Sequence, residues 1–372
     1  MKVRIFDLRI KDKDIKKDLI KSLNKIFNHG QVLLGPEVDI FEKKVAKILG
    51  VKYAIGVGSG SSAVYLALKS IGIKKGDEII TTPLTWIITL NAIVECGAIP
   101  VCVDICDDYN IDPIKIEKAI TKKTKAILPV HFTGAMCKMD KINLIAKKYN
   151  LKVVEDAAQA FGARYKGRSV GSQSDVSAFS FNVMKNLGGL GEAGLVATNN
   201  KKIYNIVKML RYTGTKNDPK KIVTNNAFYS SLNHKIDTIH AAFLLVMLKN
   251  FKKRLKKRNK IAKIYNKHLS NEVVCPKING NNNTHGLYTY AFQTKNRNKL
   301  MKYLNKNNIE TKIYHIPLAS EAPIFKKYIR FKTPNAKNIL NKILSIPASE
   351  KISFDQQKYV IKKIKDFFKN EK

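Results

Sequence analysis

The chain has 372 residues, 44% hydrophobic and 26% charged, ordinary for a globular protein and long enough for two domains or one large domain with an appendage. Its 68 lysines and arginines against 29 acids leave a net charge of +39, but the lysines are spread from Lys11 to Lys372, mostly at helix-face spacings such as Lys43, Lys44 and Lys47; the surplus reads as a solvated lysine bias and argues against a nucleic-acid partner. Five scattered cysteines without C-x-x-C spacing (Cys96, Cys102, Cys106, Cys137, Cys275) speak against a disulfide framework, a zinc site or an iron–sulfur cluster; no apolar run reaches the roughly 18–20 residues of a membrane helix, and the charged N-terminus lacks a signal core, so a cytoplasmic protein is expected.

In chain order, Leu34-Gly35-Pro36-Glu37 opens a helix whose stripe of Val38, Phe41, Val45, Ile48 and Leu49 ends at Gly50. Residues 53–57 read as a short strand, and Gly58-Ser59-Gly60-Ser61 begins another helix. Strands are predicted at 78–82, 99–104, 126–130 and 151–156, separated by helices at 85–96, 113–120 and 139–149. Strand 176–181, a glycine-rich turn carrying Lys185, and strand 194–198 follow. A long helix over 236–265 has a dense basic half, Lys252 to Lys260, expected on its exposed side. The remainder reads as a polar linker at 279–283, strands at 288–294 and 311–314, a helix at 298–307, a loop through Pro317 and Pro323, and a final helix from Ser353.

Strands alternating with helices predict an α/β fold, a mostly parallel, mixed sheet flanked by helices in a large domain over 1–250, with a smaller C-terminal α+β domain over 251–372. In such sheets ligands sit outside the carboxyl ends of the strands, where Gly58–Ser61, Asp156 and Lys185 would all fall. A lysine presented from a tight bend, with an aspartate at an upstream strand end, suits pyridoxal phosphate. The amine condenses with the cofactor aldehyde, and the carboxylate keeps the pyridine nitrogen protonated. Gly60 and Ser61 offer an anion seat at a helix start, and Ser180 a further phosphate contact. Trp86 suits ring stacking, Gln159 a hydrogen bond to the ring's phenolic oxygen. Each has an ordinary alternative when taken alone: a turn serine, a core aromatic, a solvated glutamine, or, for Asn233, a helix cap.

Together these parts resemble the DegT/DnrJ-type sugar aminotransferases, fold type I enzymes of the aspartate aminotransferase superfamily. The resemblance runs nearly end to end, through Gly35-Pro36-Glu37, Ser59-Gly60-Ser61, Gly76 to Pro83, Val130-His131, Glu155-Asp156-Ala-Ala-Gln159, Phe179-Ser180-Phe181, Lys185-Asn-Leu-Gly188, Tyr314 to Pro317 and Leu344 to Pro347. It implies pyridoxal 5'-phosphate as cofactor, Lys185 as its covalent anchor and proton carrier, and Asp156 as the partner of the ring nitrogen. It further implies Gln159 at the ring oxygen, Gly60, Ser61 and Ser180 at the phosphate, and Trp86 stacked on the ring. Asn233 is similar to a residue that reaches the phosphate from a neighbouring subunit, which implies a homodimer. The implied substrates are a nucleotide-linked ketosugar, aminated at the third sugar carbon or alternatively the fourth, and glutamate or glutamine as donor, within amino-sugar and surface-polysaccharide synthesis. Ser61, Phe161, Lys235 and His240 stand where family members more often have threonine, histidine, arginine and glutamine. A dehydratase relative would carry histidine in place of Lys185; a cofactor-free basic regulatory protein on the same fold is the alternative outside enzymes.

Overall fold

The computed structural model describes residues 1–216, 225–278 and 283–371; most of the linker expected at 279–283 lies outside the described residues. The chain opens with α1 (Lys13–His29), capped by Asp12 accepting from two backbone N–H groups, and α2 (Pro36–Leu49). Then come β1 (Tyr53–Val57), α3 (Gly60–Ser70), β2 (Glu78–Thr81), α4 (Ile88–Glu95), β3 (Ile99–Cys102), α5 (Pro113–Lys118) and β4 (Thr124–Ile127). They are followed by α6 (Met139–Lys148), β5 (Lys152–Asp156), a small hairpin of β6 (Arg164–Tyr165) and β7 (Arg168–Ser169), β8 (Val176–Ser180), β9 (Gly194–Thr198), and α7 (Lys201–Arg211). Helices α8 (Thr238–Lys249) and α9 (Phe251–Leu269) lead to β10 (Tyr290–Gln293), α10 (Arg297–Lys306), α11 (Pro334–Lys342), β11 (Ile343–Ile346) and α12 (Phe354–Asn370).

Seven strands form one sheet in the order β1-β9-β8-β5-β4-β2-β3. Only β9 runs against its neighbours, so the sheet is mixed but mostly parallel, as expected. Successive strand residues feed opposite faces. On β9, Leu195 and Ala197 join a core with Phe41, Val45, Phe179 and Phe181, while Val196 joins another with Ala63, Leu66, Ala67 and Val207. A third core packs α9, α10 and α12 against β10 and β11. Val3 from the chain start belongs to that third core, and its backbone bridges Ile309.

Several expected elements differ. Helix α1 was not anticipated because only Leu19 and Ile26 of its residues are buried, leaving a thin apolar stripe among lysines. The single helix expected over 236–265 is two, divided at Asn250, where φ −108° and ψ 10° leave helical geometry. Helix α8 is pressed against α1 and α2, whereas α9 turns toward the third core, with Phe251 and Leu255 still in the first core and Ile261 onward in the third. Helix α4 starts at Ile88 rather than at Thr85. The strand expected at 311–314 is reduced to one bridge, Lys312 to Ser345, and the pairing partner of β10 is β11.

Candidate active site

A cavity of about 490 Å³ opens outside the carboxyl ends of the parallel strands. Gly60, Ser61, Trp86, Asp156, Gln159, Ser180 and Lys185 all line it. Four separate strand-to-loop junctions therefore converge on one space.

Lys185 sits on the bend between β8 and β9, its backbone N–H donating to Asn182 at 2.8 Å. Its ammonium lies 4.5 Å from the centroid of the Tyr288 ring. Burial lowers the amine to about 8, assisted by the positive charge of Lys312 and opposed by Asp156 and Glu192. Asp156, at the end of β5, is buried, and that burial raises its carboxyl above the usual range against the pull of Thr89, the Ala158 N–H, Lys185 and His131. Thr89 Oγ1 donates to Asp156 Oδ2 at 2.9 Å, and Ala158 N–H donates to Oδ1 at 3.2 Å.

The floor beside Asp156 is tied together by buried hydrogen bonds. His131 N–H donates to the Asp156 carbonyl at 3.1 Å. The His131 Nδ1 accepts from Cys137 N–H at 3.2 Å, so Nε2 carries the hydrogen and donates to Glu155 Oε2 at 2.7 Å. Both side chains are fully enclosed, and Gly171 N–H gives Glu155 a second donor at 3.0 Å.

The phosphate seat expected at the start of α3 is shaped by close packing. Ser59 caps the helix by accepting from Ser62 N–H at 3.1 Å. A Cβ on Gly60 would stand 2.6 Å from Ser180 Cβ, and one on Gly194 would stand 2.1 Å from the Ser59 carbonyl oxygen. Glycine at both places lets the α3 start touch β8 and β9, bringing Ser180 beside the free N–H groups and hydroxyls of the turn. Gln159 Oε1 accepts from Thr133 N–H at 2.8 Å, and its Nε2 is 3.4 Å from His315 Nε2. Trp86 is 58% exposed and forms an outer wall, its ring 5.6 Å from that of His315.

Asn233 does not line this cavity: it bridges Tyr212 on the surface, and its side chain accepts from Lys235 N–H at 3.2 Å. Its neighbour His234 reaches Ser62 at 3.0 Å, so the loop runs beside the α3 turn. Phe161 is packed among Phe179, Phe181 and Phe251, an apolar setting that suits phenylalanine. Thr85, Thr89, Glu192, Tyr288, Lys312 and His315 were not singled out from sequence; all but Thr89 line the cavity. His315 is held at φ 64°, and burial, with the charges of Lys185 and Lys312, pushes its imidazole down to about 3. Its place in the Tyr314 to Pro317 stretch was the one sequence signal for it.

The donor set fits pyridoxal phosphate: a glycine-cleared anion seat, a buried carboxylate for a ring nitrogen, and a lysine amine lowered toward neutrality. Fold and site define a fold type I pyridoxal-phosphate enzyme. Residues 13–365 match the DegT/DnrJ/EryC1/StrS aminotransferase family, and the chain belongs to it. It is 34% identical to a "dTDP-3-amino-3,6-dideoxy-alpha-D-galactopyranose transaminase" of Aneurinibacillus thermoaerophilus, over 97% of this chain and 98% of the relative. It is also 34% identical to a "Pleiotropic regulatory protein" of Geobacillus stearothermophilus over the whole of both chains. The crystal structure of S. venezuelae DesV in complex with a ketimine intermediate superposes with a TM-score of 0.93 at 30% identity, covering 98% of each chain.

Proposed function

We propose that this aminotransferase moves an amino group from glutamate or glutamine to the keto carbon of a nucleotide-linked deoxysugar, at the third sugar carbon. The observation that carries the reading is Lys185, its amine lowered to about 8, in one cavity with the buried Asp156 and the Gly60–Ser61–Ser180 seat. Similarity to a transaminase named for a 3-amino sugar supports the choice of carbon. Among the described residues no helix is long and apolar enough to cross a membrane, and a cytoplasmic setting is part of this reading.

Pyridoxal phosphate, when bound, supplies an aldehyde to carry the amino group and a ring to spread the electrons released at the donor's α carbon. Lys185 Nζ would hold the cofactor covalently and, when its amine is free, would carry the proton taken from the donor's α carbon. Its lowered basicity leaves a usable neutral fraction near pH 7. Asp156 would keep a positive charge on the ring nitrogen. Gly60, Ser61 and Ser180 would hold the phosphate, Gln159 would offer an amide hydrogen to the ring oxygen, and Trp86 would stack against the ring. Lys312 and the general basic surplus favour anionic substrates.

The active unit in this reading is a homodimer in which the partner's Asn233 reaches the phosphate. It is supported by the exclusion of Asn233 from its own cavity and by exposed Leu190, Phe228 and Leu232 on the loops nearby. Incubating the purified protein with α-¹⁵N-glutamate or α-¹⁵N-glutamine and a panel of nucleotide-linked ketosugars, with NMR locating the new C–N bond, tests the reaction. Nitrogen at carbon 4, or none in any product, overturns it in part or whole. Sedimentation of the wild type, with cofactor affinity of Asn233→Ala, tests the dimer.

A further inference from the structure

We propose that Thr85 and Thr89 are positioning residues that form a one-way hydroxyl chain onto Asp156, keeping its carboxylate charged and oriented so that a ring nitrogen placed against it stays protonated. This rests on the reading of Asp156 above and extends it to two residues with no assigned role.

The direction of the chain follows from counting hydrogens. An ionised carboxylate has only acceptors, so the 2.9 Å contact between Thr89 Oγ1 and Asp156 Oδ2 consumes the single hydroxyl hydrogen of Thr89. The second contact of that oxygen, 2.7 Å from Thr85 Oγ1, can then be made only with Thr85 donating. Thr85 donates to Thr89, and Thr89 donates to Asp156. Thr85, Thr89 and Asp156 are all buried, which strengthens these bonds. The same turn of chain places the outer wall, because Thr89 N–H donates to the Trp86 carbonyl at 3.1 Å.

Asp156 needs such help. Its enclosure favours the neutral acid, and its other direct donor is the Ala158 N–H at 3.2 Å, longer than the threonine bond. The charged or titratable groups acting on it are Lys185 on the β8–β9 bend and His131 after β4, and His131 is turned to Glu155. A proton shared between a ring nitrogen and Asp156 goes to whichever is more basic. A donated hydrogen bond makes the carboxylate less basic and leaves the proton on the ring; loss of the hydroxyl moves it toward the acid. The geometry also fixes the rotamer, since Oδ1 and Oδ2 are each held by a different donor.

The test uses holoenzyme loaded with cofactor labelled with ¹⁵N in the ring, and reads the ring-nitrogen chemical shift by NMR. Wild type gives the protonated value and Asp156→Asn the neutral one. Thr89→Val, which keeps shape and loses the hydroxyl, lies part of the way toward Asp156→Asn. Thr89→Ser, which loses shape and keeps the hydroxyl, returns to wild type. Thr85→Val moves the same way by less, and Thr89→Val in the Asp156→Asn background adds nothing. A packing role would reverse the valine and serine results. If Thr89→Val does not fold, Thr85→Val with Thr89→Ser carries the test. A wild-type shift in Thr89→Val, or in Thr85→Val where Thr89→Val does not fold, alongside a displaced Asp156→Asn, overturns the inference. A wild-type shift in Asp156→Asn itself overturns the reading of the site instead.

Discussion

Titration of Lys185 in the cofactor-free protein is the most direct check on the electrostatics of the site. With its amine at about 8, roughly 10% is neutral at pH 7, against about 0.03% for an ordinary lysine, an enrichment of some 300-fold. Trace acetic anhydride acylates only neutral amines, so mass spectrometry of the Lys185 peptide across pH should give a midpoint near 8. The neighbours set opposite signs: Asp156 raises the amine and Lys312 lowers it. Asp156→Asn should therefore move the midpoint down and Lys312→Met move it up. The same shift acts on folding. Between the folded and unfolded values the unfolded state binds more protons, so stability rises with pH through that window, by up to about 3 kcal/mol, and the gain is absent in Lys185→Met. A wild-type midpoint at 10 or above, or two neighbour substitutions that shift it the same way, refutes the account.

Gly194→Ala should be more damaging than Gly60→Ala, because its Cβ meets backbone at 2.1 Å rather than the Ser180 side chain at 2.6 Å. We expect losses of roughly 3 kcal/mol or more against 1–3 in urea denaturation, with cofactor affinity reduced in both. Glu350 is paired with Arg258 at 2.6 Å and Arg254 at 3.7 Å; burial pushes its carboxyl up, but the two arginines hold it below the usual range. Its contribution is present above the unfolded carboxylate value and lost on acidification, so Glu350→Gln should cost roughly 3 kcal/mol at pH 7, with the gap to wild type closing below pH 4 in urea midpoints. His131→Leu leaves Glu155 enclosed without its 2.7 Å donor. It should lower Tm more than the double change His131→Leu with Glu155→Gln, a comparison that differential scanning calorimetry makes directly.

Much of this site was legible in the chain because its parts lie where local pattern changes: Gly60 and Ser61 at a strand-to-helix turn, Asp156 at a strand end, Lys185 on a glycine-rich bend. Backbone conformation and spacing announce such places, since turns need glycine and buried strands need β-branched or small residues. The same local logic anticipated α2, α3, α12 and the mixed sheet. It did not anticipate α1, whose thin apolar stripe is hidden among lysines, or the break at Asn250, which follows from two helices serving different cores. Nor could it pair Thr89 with Asp156, 67 residues apart, or carry His315 across 156 residues to Gln159. Sequence by itself determined which chemical groups this protein owns and on what kind of local bend each is offered. Only the tertiary structure decided which of them meet and how far burial moves their charges, because strand order and enclosure depend on contacts between segments remote from one another in the chain.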